Sequence, residues 1–212
     1  MLEQDMSKRL KINLNNIILL AVVFGALSGA LTTYYITSVQ TPTQEDLIKS
    51  HYDTETAVLV SPHGLRKHLG DGTTVLVDVR SQEEYEEEHI TGALNVPAYK
   101  DRDHSDYGAV ERIATSFAEI KADNPNKDII IYCYSMPCMT GRKVGKMLAD
   151  RGIFVKELGI GWNEWRYFWT LWNHAHEWNQ TKPEDFITSG PEPGEMLIES
   201  GTGCPIEGDF GC

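Results

Sequence analysis

Residues 74–97 read TVLVDVRSQEEYEEEHITGALNVP, and the first half of that stretch decides the fold. Thr74–Val79 is a β-branched run suited to a buried strand. Ser81-x-x-Glu84 follows it directly as a capping box, which starts a helix carrying Glu83 to Glu88. A buried strand running straight into a helix is the unit of an α/β fold, and the same alternation continues on both sides. Upstream, Ala57–Val60 reads as a short strand, Ser61 as a cap and Pro62 as the opening of a helix to Leu69. Downstream come a helix over Gly108–Ala122, a buried strand at Asp128–Cys133 (DIIIYC), a loop, and a helix over Thr140–Asp150. Gly152, a strand IFVKEL at 153–158 and an aromatic helix over Trp162–Trp178 complete the series. Residues 57–178 are therefore predicted to form one domain with a mainly parallel central sheet and helices on both faces.

Outside that domain the chain changes character. Ile17–Ile36 is twenty residues without a charge, the length of a helix that crosses a bilayer core of roughly 30 Å. Residues 13–38 are predicted to be a single transmembrane anchor in contact with lipid through 17–36. Lys8, Arg9 and Lys11 precede the span, so the positive-inside bias puts residues 1–12 in the cytoplasm and the domain outside it, periplasmic or at the cell surface. The competing reading is a signal peptide cleaved after Ser28-Gly29-Ala30; against it, the apolar run continues through Leu31, Tyr34, Tyr35 and Ile36. Residues 39–56 show no sustained apolar period and read as a stalk. Residues 179–212 read as an acidic, Gly- and Pro-rich flexible tail: from 181 on it holds seven acids against one Lys, and it has too little apolar surface to fold alone. With 19 Lys plus Arg against 31 Asp plus Glu, a net charge of -12, the chain is a poor fit to nucleic acid.

The candidate chemistry lies at Cys133, at the carboxyl end of a buried strand, where ligands bind in sheets of this kind. The loop N–H groups and the N-terminus of the next helix favour an anion, so the Cys133 thiol is expected to ionise readily, with Arg142 and Lys143 adding positive charge. A thiolate so placed attacks sulfur, phosphorus or arsenic in an anionic substrate, or exchanges with a disulfide; geometry does not choose among these. Tyr134, Ser135, Met136, Pro137, Cys138, Met139 and Arg142 form the candidate substrate cradle.

Residues 76–97 resemble the rhodanese homology domain: Asp78 and Arg80 of D-V-R, the Glu-Tyr pair, His89-Ile90, Gly92-Ala93 and Asn95-Val96-Pro97 fall in that family's order. IIIYC is similar to the strand leading to the family's catalytic cysteine. LGIGWNEW resembles its closing G-G-x-x-x-W, with Gly161 and Trp165 in place and Ile160 for the first glycine. The resemblance covers about 57–172. It implies a sulfurtransferase in which Cys133 takes a sulfane sulfur from thiosulfate or a persulfide, becomes a persulfide, and passes the sulfur to a thiol acceptor or cyanide without a cofactor. It further implies a supporting role for Asp78 and Arg80, and a structural one for His89.

The active loop departs from the family pattern C-x-x-G-x-R/S. It is about two residues longer, Met136 stands at the glycine position and Cys138 at the arginine position. The C-x5-R pattern of the related phosphatases is absent as well, since Met139 occupies the sixth place and Arg142 comes three later. Cys138 is either a loop filler or a resolving thiol that displaces sulfide from a Cys133 persulfide, which would make the protein a thiol–disulfide or sulfide-releasing redox protein. A non-catalytic binding module is the remaining alternative. No metal is expected, because two cysteines are too few ligands and His174 and His176 face different ways on a helix. Trp162, Trp165, Trp169 and Trp172 read as a core stripe, with Tyr167, Phe168 and Trp178 off it and free for a partner or membrane surface. Cys204 and Cys212 are expected to close a small disulfide loop.

Overall fold

The computed structural model describes residues 14–39 and 41–196, in two compact units, Met1–Asp53 and Thr54–Cys212. The N-terminal cluster Lys8, Arg9 and Lys11 and the pair Cys204 and Cys212 lie outside the described residues.

In the first unit, helix α1 (Leu14–Val39) contains a stretch, Asn15–Ser38, long and apolar enough to cross a membrane. At about 1.5 Å per residue it reaches roughly 36 Å, against a hydrocarbon core of about 30 Å. Its apolar side chains, among them Phe24, Leu31 and Tyr34, are exposed all round. Most of the segment read as a stalk is helical: α2 (Gln44–Val58) buries none of its residues. It starts at a reciprocal cap, with the Asp46 carboxylate accepting the Thr43 N–H (2.9 Å) and Thr43 Oγ1 accepting the Asp46 N–H (3.1 Å). The helix takes in Ala57 and Val58, so the strand predicted there shrinks to β1 (Leu59–Val60).

The second unit is built on five parallel strands. In chain order they are β1, β2 (Thr74–Asp78), β4 (Leu94–Asn95), β5 (Asp128–Tyr132) and β6 (Lys156–Leu158), and in space β1-β6-β5-β2-β4. The period-two alternation of side chains divides β2 and β5 between two cores. Val75, Val77, Ile129 and Ile131 face one side, where α5 (Val110–Asp123) supplies Ile113 and Phe117 and α6 (Met139–Ala149) supplies Val144 and Leu148. Leu76, Ile130 and Tyr132 face the other, against Leu65 of α3 (Pro62–His68), Tyr85 of α4 (Gln82–Glu87) and a tryptophan cluster. Strands covered on both faces are what the consecutive apolar residues Val75–Val77 and Ile129–Ile131 require.

Two predicted elements differ in extent. IFVKEL pairs only from Lys156, and the aromatic helix is broken into α7 (Trp162–Tyr167), α8 (Trp169–Trp172) and a 3₁₀ turn at Ala175–Glu177. At Phe168 the backbone leaves helical geometry (φ -124°, ψ 41°). The Glu164 carbonyl then accepts both the Phe168 N–H (3.2 Å) and Trp172 Nε1–H (3.1 Å). The bend brings Trp165, Trp169 and Trp172 together, with ring centroids 4.6 to 5.7 Å apart.

The expected flexible tail is, as far as Met196, a packed segment. β7 (Ile187–Thr188) pairs antiparallel with β3 (His89–Ile90), Phe186 stacks on Trp169 at 5.5 Å, and the Gly92 N–H reaches the Pro193 carbonyl at 2.6 Å. Its few apolar residues, Phe186, Ile187 and Met196, pack against the core that the domain already has. His89, fully buried, stacks on Tyr85 at 3.8 Å and donates from Nδ1 to the Tyr85 carbonyl (2.8 Å), which is a structural position.

Candidate active site

Cys133 leaves the carboxyl end of β5, between the ends of β2 and β6, and the segment Cys133–Cys138 bridges it to α6. The loop is shaped by the start of α7. The Trp162 N–H donates to the Cys133 carbonyl and the Asn163 N–H to the Tyr134 carbonyl, both at 2.8 Å. The Glu164 carboxylate accepts the N–H groups of Gly161 (2.9 Å) and Met136 (3.3 Å). Gly161 is the contact point: a Cβ there would lie 2.2 Å from the Ser135 nitrogen, so any other residue would displace the loop backbone. The closing motif read from the sequence is thus the support on which the loop rests.

The two loop thiols meet. Cys133 Sγ and Cys138 Sγ are 2.8 Å apart, in direct contact yet outside the bond length of about 2.05 Å in a disulfide. Cys133 is only 5% exposed and packs in the apolar core with Val79, Ala98 and Val144, whereas Cys138, at the N-cap of α6, is half-buried. Burial, together with hydrogen bonding and charge from Cys138, pushes the Cys133 thiol well above the usual range, which corrects the expectation of a readily ionised Cys133. Burial also acts upward on Cys138, but it is outweighed by hydrogen bonds from Cys133, from the side chain and N–H of Thr140 and from the Tyr134 N–H, and the Cys138 thiol is lowered. Burial thus disfavours charge on Cys133, and the hydrogen bonds around the pair favour it on Cys138. Thr140, itself buried, is fixed by two tyrosines, with both Tyr99 and Tyr107 hydroxyls 2.7 Å from its Oγ1.

The remaining candidate residues divide by contact. The Tyr134 hydroxyl donates to the Glu84 carboxylate, which also accepts the Ser81 hydroxyl at 2.6 Å. Met136, Pro137 and Met139 are exposed. The Cys138 N–H is taken by the Ser135 carbonyl (2.9 Å) and Pro137 has none to offer, so fewer loop amides face the sulfurs than a full cradle would supply. Arg142 reaches the Met136 carbonyl (3.3 Å) and lies 3.8 Å from Glu157, and Lys143 sits over the Tyr107 ring at 4.7 Å. Asp78 and Arg80 form a buried bidentate pair (Nη2···Oδ2 2.6 Å, Nε···Oδ2 3.0 Å), with Arg80 also bound to the Glu88 carbonyl and stacked 4.4 Å from Trp162. Beside the loop lies an open cavity of about 630 Å³ lined by Arg80, Glu84, Arg102, Tyr134, Trp162 and Asn163 among others. Glu84, read as a helix cap, and Thr140, Tyr99 and Tyr107 are site residues that sequence reasoning missed; only the capping-box position of Glu84 carried any signal.

His63, His174 and Glu177 bring ligand atoms within 4.8 Å of one another, but their geometry suits a structural tie. The imidazoles are stacked 8° from parallel, so their in-plane lone pairs do not converge. The Glu177 carboxylate is occupied by Arg66 (2.6 Å), His63 (3.0 Å) and the His174 N–H (3.2 Å). Arg66 holds it down to about 2 against the opposing effect of burial.

A family model described as rhodanese-like domain matches residues 61–167. An HTH-type transcriptional regulator of Mycobacterium tuberculosis is 35% identical over 95 residues, covering 45% of this chain and 35% of the regulator, so the match spans about a third of that relative's length. Among solved structures, a human single-domain sulfurtransferase is 23% identical with TM-score 0.37, covering 50% of this chain and 93% of its own. A rhodanese with anions from E. coli is 26% identical with TM-score 0.29, covering 42% and 86%.

Proposed function

The chain belongs to the rhodanese-like domain family, and from that premise we propose that it is a membrane-anchored sulfurtransferase that carries sulfane sulfur as a persulfide on Cys133. Cys133 stands at the end of β5, where the family holds its nucleophile. The donor is a small sulfur anion such as thiosulfate or a persulfide, and the acceptor is a thiol. Tyr134, Ser135, Met136, Pro137, Cys138, Met139 and Arg142 surround the transfer, and Asp78 and Arg80 hold the neighbouring strand end. In this reading residues 13–38 are the anchor, 39–56 the connecting stalk and 57–178 the catalytic domain, outside the cytoplasm with residues 1–12 inside. Protease treatment of spheroplasts tests the topology: the domain should be digested, and a protected domain would overturn the orientation.

The observation that carries the chemistry is the 2.8 Å approach of Cys133 and Cys138. It also favours a second stage, in which the Cys138 sulfur attacks the inner sulfur of the persulfide. The S–S bond to the outer sulfur breaks, hydrosulfide leaves, and a Cys133–Cys138 disulfide remains for an external thiol to reduce. The test is mass spectrometry of the detergent-solubilised full chain after thiosulfate treatment. A gain of one sulfur on the Cys133 peptide is expected, followed by its loss as a Cys133–Cys138 cross-linked peptide appears. A chain that gains no sulfur at any thiosulfate concentration would end the sulfurtransferase reading.

A further inference from the structure

We propose that Cys138 is the general base for Cys133, receiving the Cys133 proton across their direct contact as Cys133 attacks the donor. The inference rests on the sulfurtransferase reading and adds a step to it. Cys133 cannot easily ionise by itself: it is 5% exposed and lies in an apolar cluster, and such an environment disfavours a buried charge. Among the described residues, its sulfur touches one group able to take a proton, the Cys138 sulfur at 2.8 Å. Cys138 is more exposed, and it stands at the N-cap of the eleven-residue α6, where the helix end favours negative charge.

A hydroxyl network strengthens the assignment. Thr140 Oγ1 lies 2.7 Å from both the Tyr99 and Tyr107 hydroxyls. When both tyrosines donate to that oxygen, the Thr140 proton is left for a sulfur anion. The base-competent state is then Cys138–S⁻ hydrogen-bonded by Cys133–S–H and Thr140. With thiosulfate, Cys133 sulfur bonds to the outer sulfur, the donor's S–S bond breaks, sulfite leaves with its electron pair, and the Cys133 proton passes to Cys138. The products are Cys133–S–S⁻, Cys138–SH and sulfite, with charge and hydrogen conserved. The same proton transfer leaves Cys138 neutral beside the new persulfide, so the product anion does not face a thiolate.

The groups facing the pair from the packed elements are Tyr99, Tyr134 and, through Thr140, Tyr107. Arg142 and Lys143 on α6 make their contacts elsewhere. Burial holds Tyr99 and Tyr134 above the usual tyrosine range, so neither ionises between about pH 6 and 9. A profile over that window therefore reports the sulfurs.

The test measures sulfite release from thiosulfate against pH in wild type, Cys138→Ala and Cys138→Asp, with folding checked by circular dichroism. Cys138→Ala is expected to lose about tenfold or more at pH 7 and to recover as pH rises, because each unit of upward shift in the Cys133 ionisation removes about a factor of ten at fixed pH. Cys138→Asp supplies a carboxylate base that cannot form a disulfide. It should restore much of the neutral-pH rate and flatten the profile, while releasing no sulfide without added thiol. A purely resolving Cys138 predicts instead that both variants take up sulfur with the wild-type profile, which would overturn the proposal. Iodoacetamide alkylation of Cys133, read on its own peptide, separates the two levels of inference. It should be faster in Cys138→Asp than in Cys138→Ala at pH 7 even if wild type accepts no sulfur from thiosulfate, and equal alkylation rates would refute the base.

Discussion

Cys133→Ser is expected to bring sulfite release from thiosulfate down to the uncatalysed background, a fall of at least about 10³-fold, while the domain stays folded. The serine oxygen cannot carry a sulfane sulfur. Its hydroxyl is also far harder to ionise than a thiol, and in a position 5% exposed among Val79, Ala98 and Val144 that difference widens. The Cys138 base loses its role at the same time, since it has no thiol proton to receive. Because the side chain is nearly isosteric, the stability change should stay near 1 kcal/mol, of the order common for single substitutions. Activity and the thermal melt, measured on the same preparation, check both halves. A serine variant that still turns over at a tenth of the wild-type rate would move the nucleophile to Cys138.

The elements that set the sheet were legible because they depend on local chemistry. TVLVDV and DIIIYC carry β-branched apolar residues on both faces and form the neighbouring strands β2 and β5, and Ser61-Pro62 and Ser81 start helices by capping, as read. The core role of the tryptophan stripe was also legible, but the break in its helix at Phe168 was not, since it depends on how three indoles share one volume. The docked segment at 183–196 was hidden for a similar reason. Its composition speaks of a chain that cannot fold alone, and nothing local reveals that Phe186 and Ile187 have a core waiting for them. At the site, the position of Cys133 at a strand end was clear from sequence. The upward push on its ionisation was not, because it comes from burial in the core, while the lowering hydrogen bonds from Cys133, Thr140 and Tyr134 fall on Cys138. Thr140, Tyr99 and Tyr107 come from segments 33 and 41 residues apart and carry no spacing signal.

The largest effect on stability is expected at the pair read as supporting residues. Arg80→Met removes the cation bound to Asp78, whose side chain is fully buried. Asp78 Oδ1 would keep the Arg80 backbone N–H (2.8 Å) but lose the guanidinium from both oxygens. Stranding a buried charge in this way costs about 3–5 kcal/mol, a large part of the 5–15 kcal/mol by which domains of this size are stable. The Glu88 carbonyl loses a donor too, and Trp162 loses the cation 4.4 Å from its ring. Removing the carboxylate as well should repair much of the loss, because the double variant Asp78→Leu/Arg80→Met leaves no unpaired charge, although it strands the Arg80 backbone N–H and the Tyr132 hydroxyl that Asp78 had satisfied. Urea melts of the two variants decide it: Arg80→Met should fall well below both wild type and the double variant, and an Arg80→Met domain within about 1 kcal/mol of wild type would show the pair to be dispensable. The consequence reaches the sulfurs through one hydrogen bond. Trp162 carries Arg80 on its ring and donates its N–H to the Cys133 carbonyl, so the molecules of Arg80→Met that remain folded should also transfer sulfur more slowly than wild type.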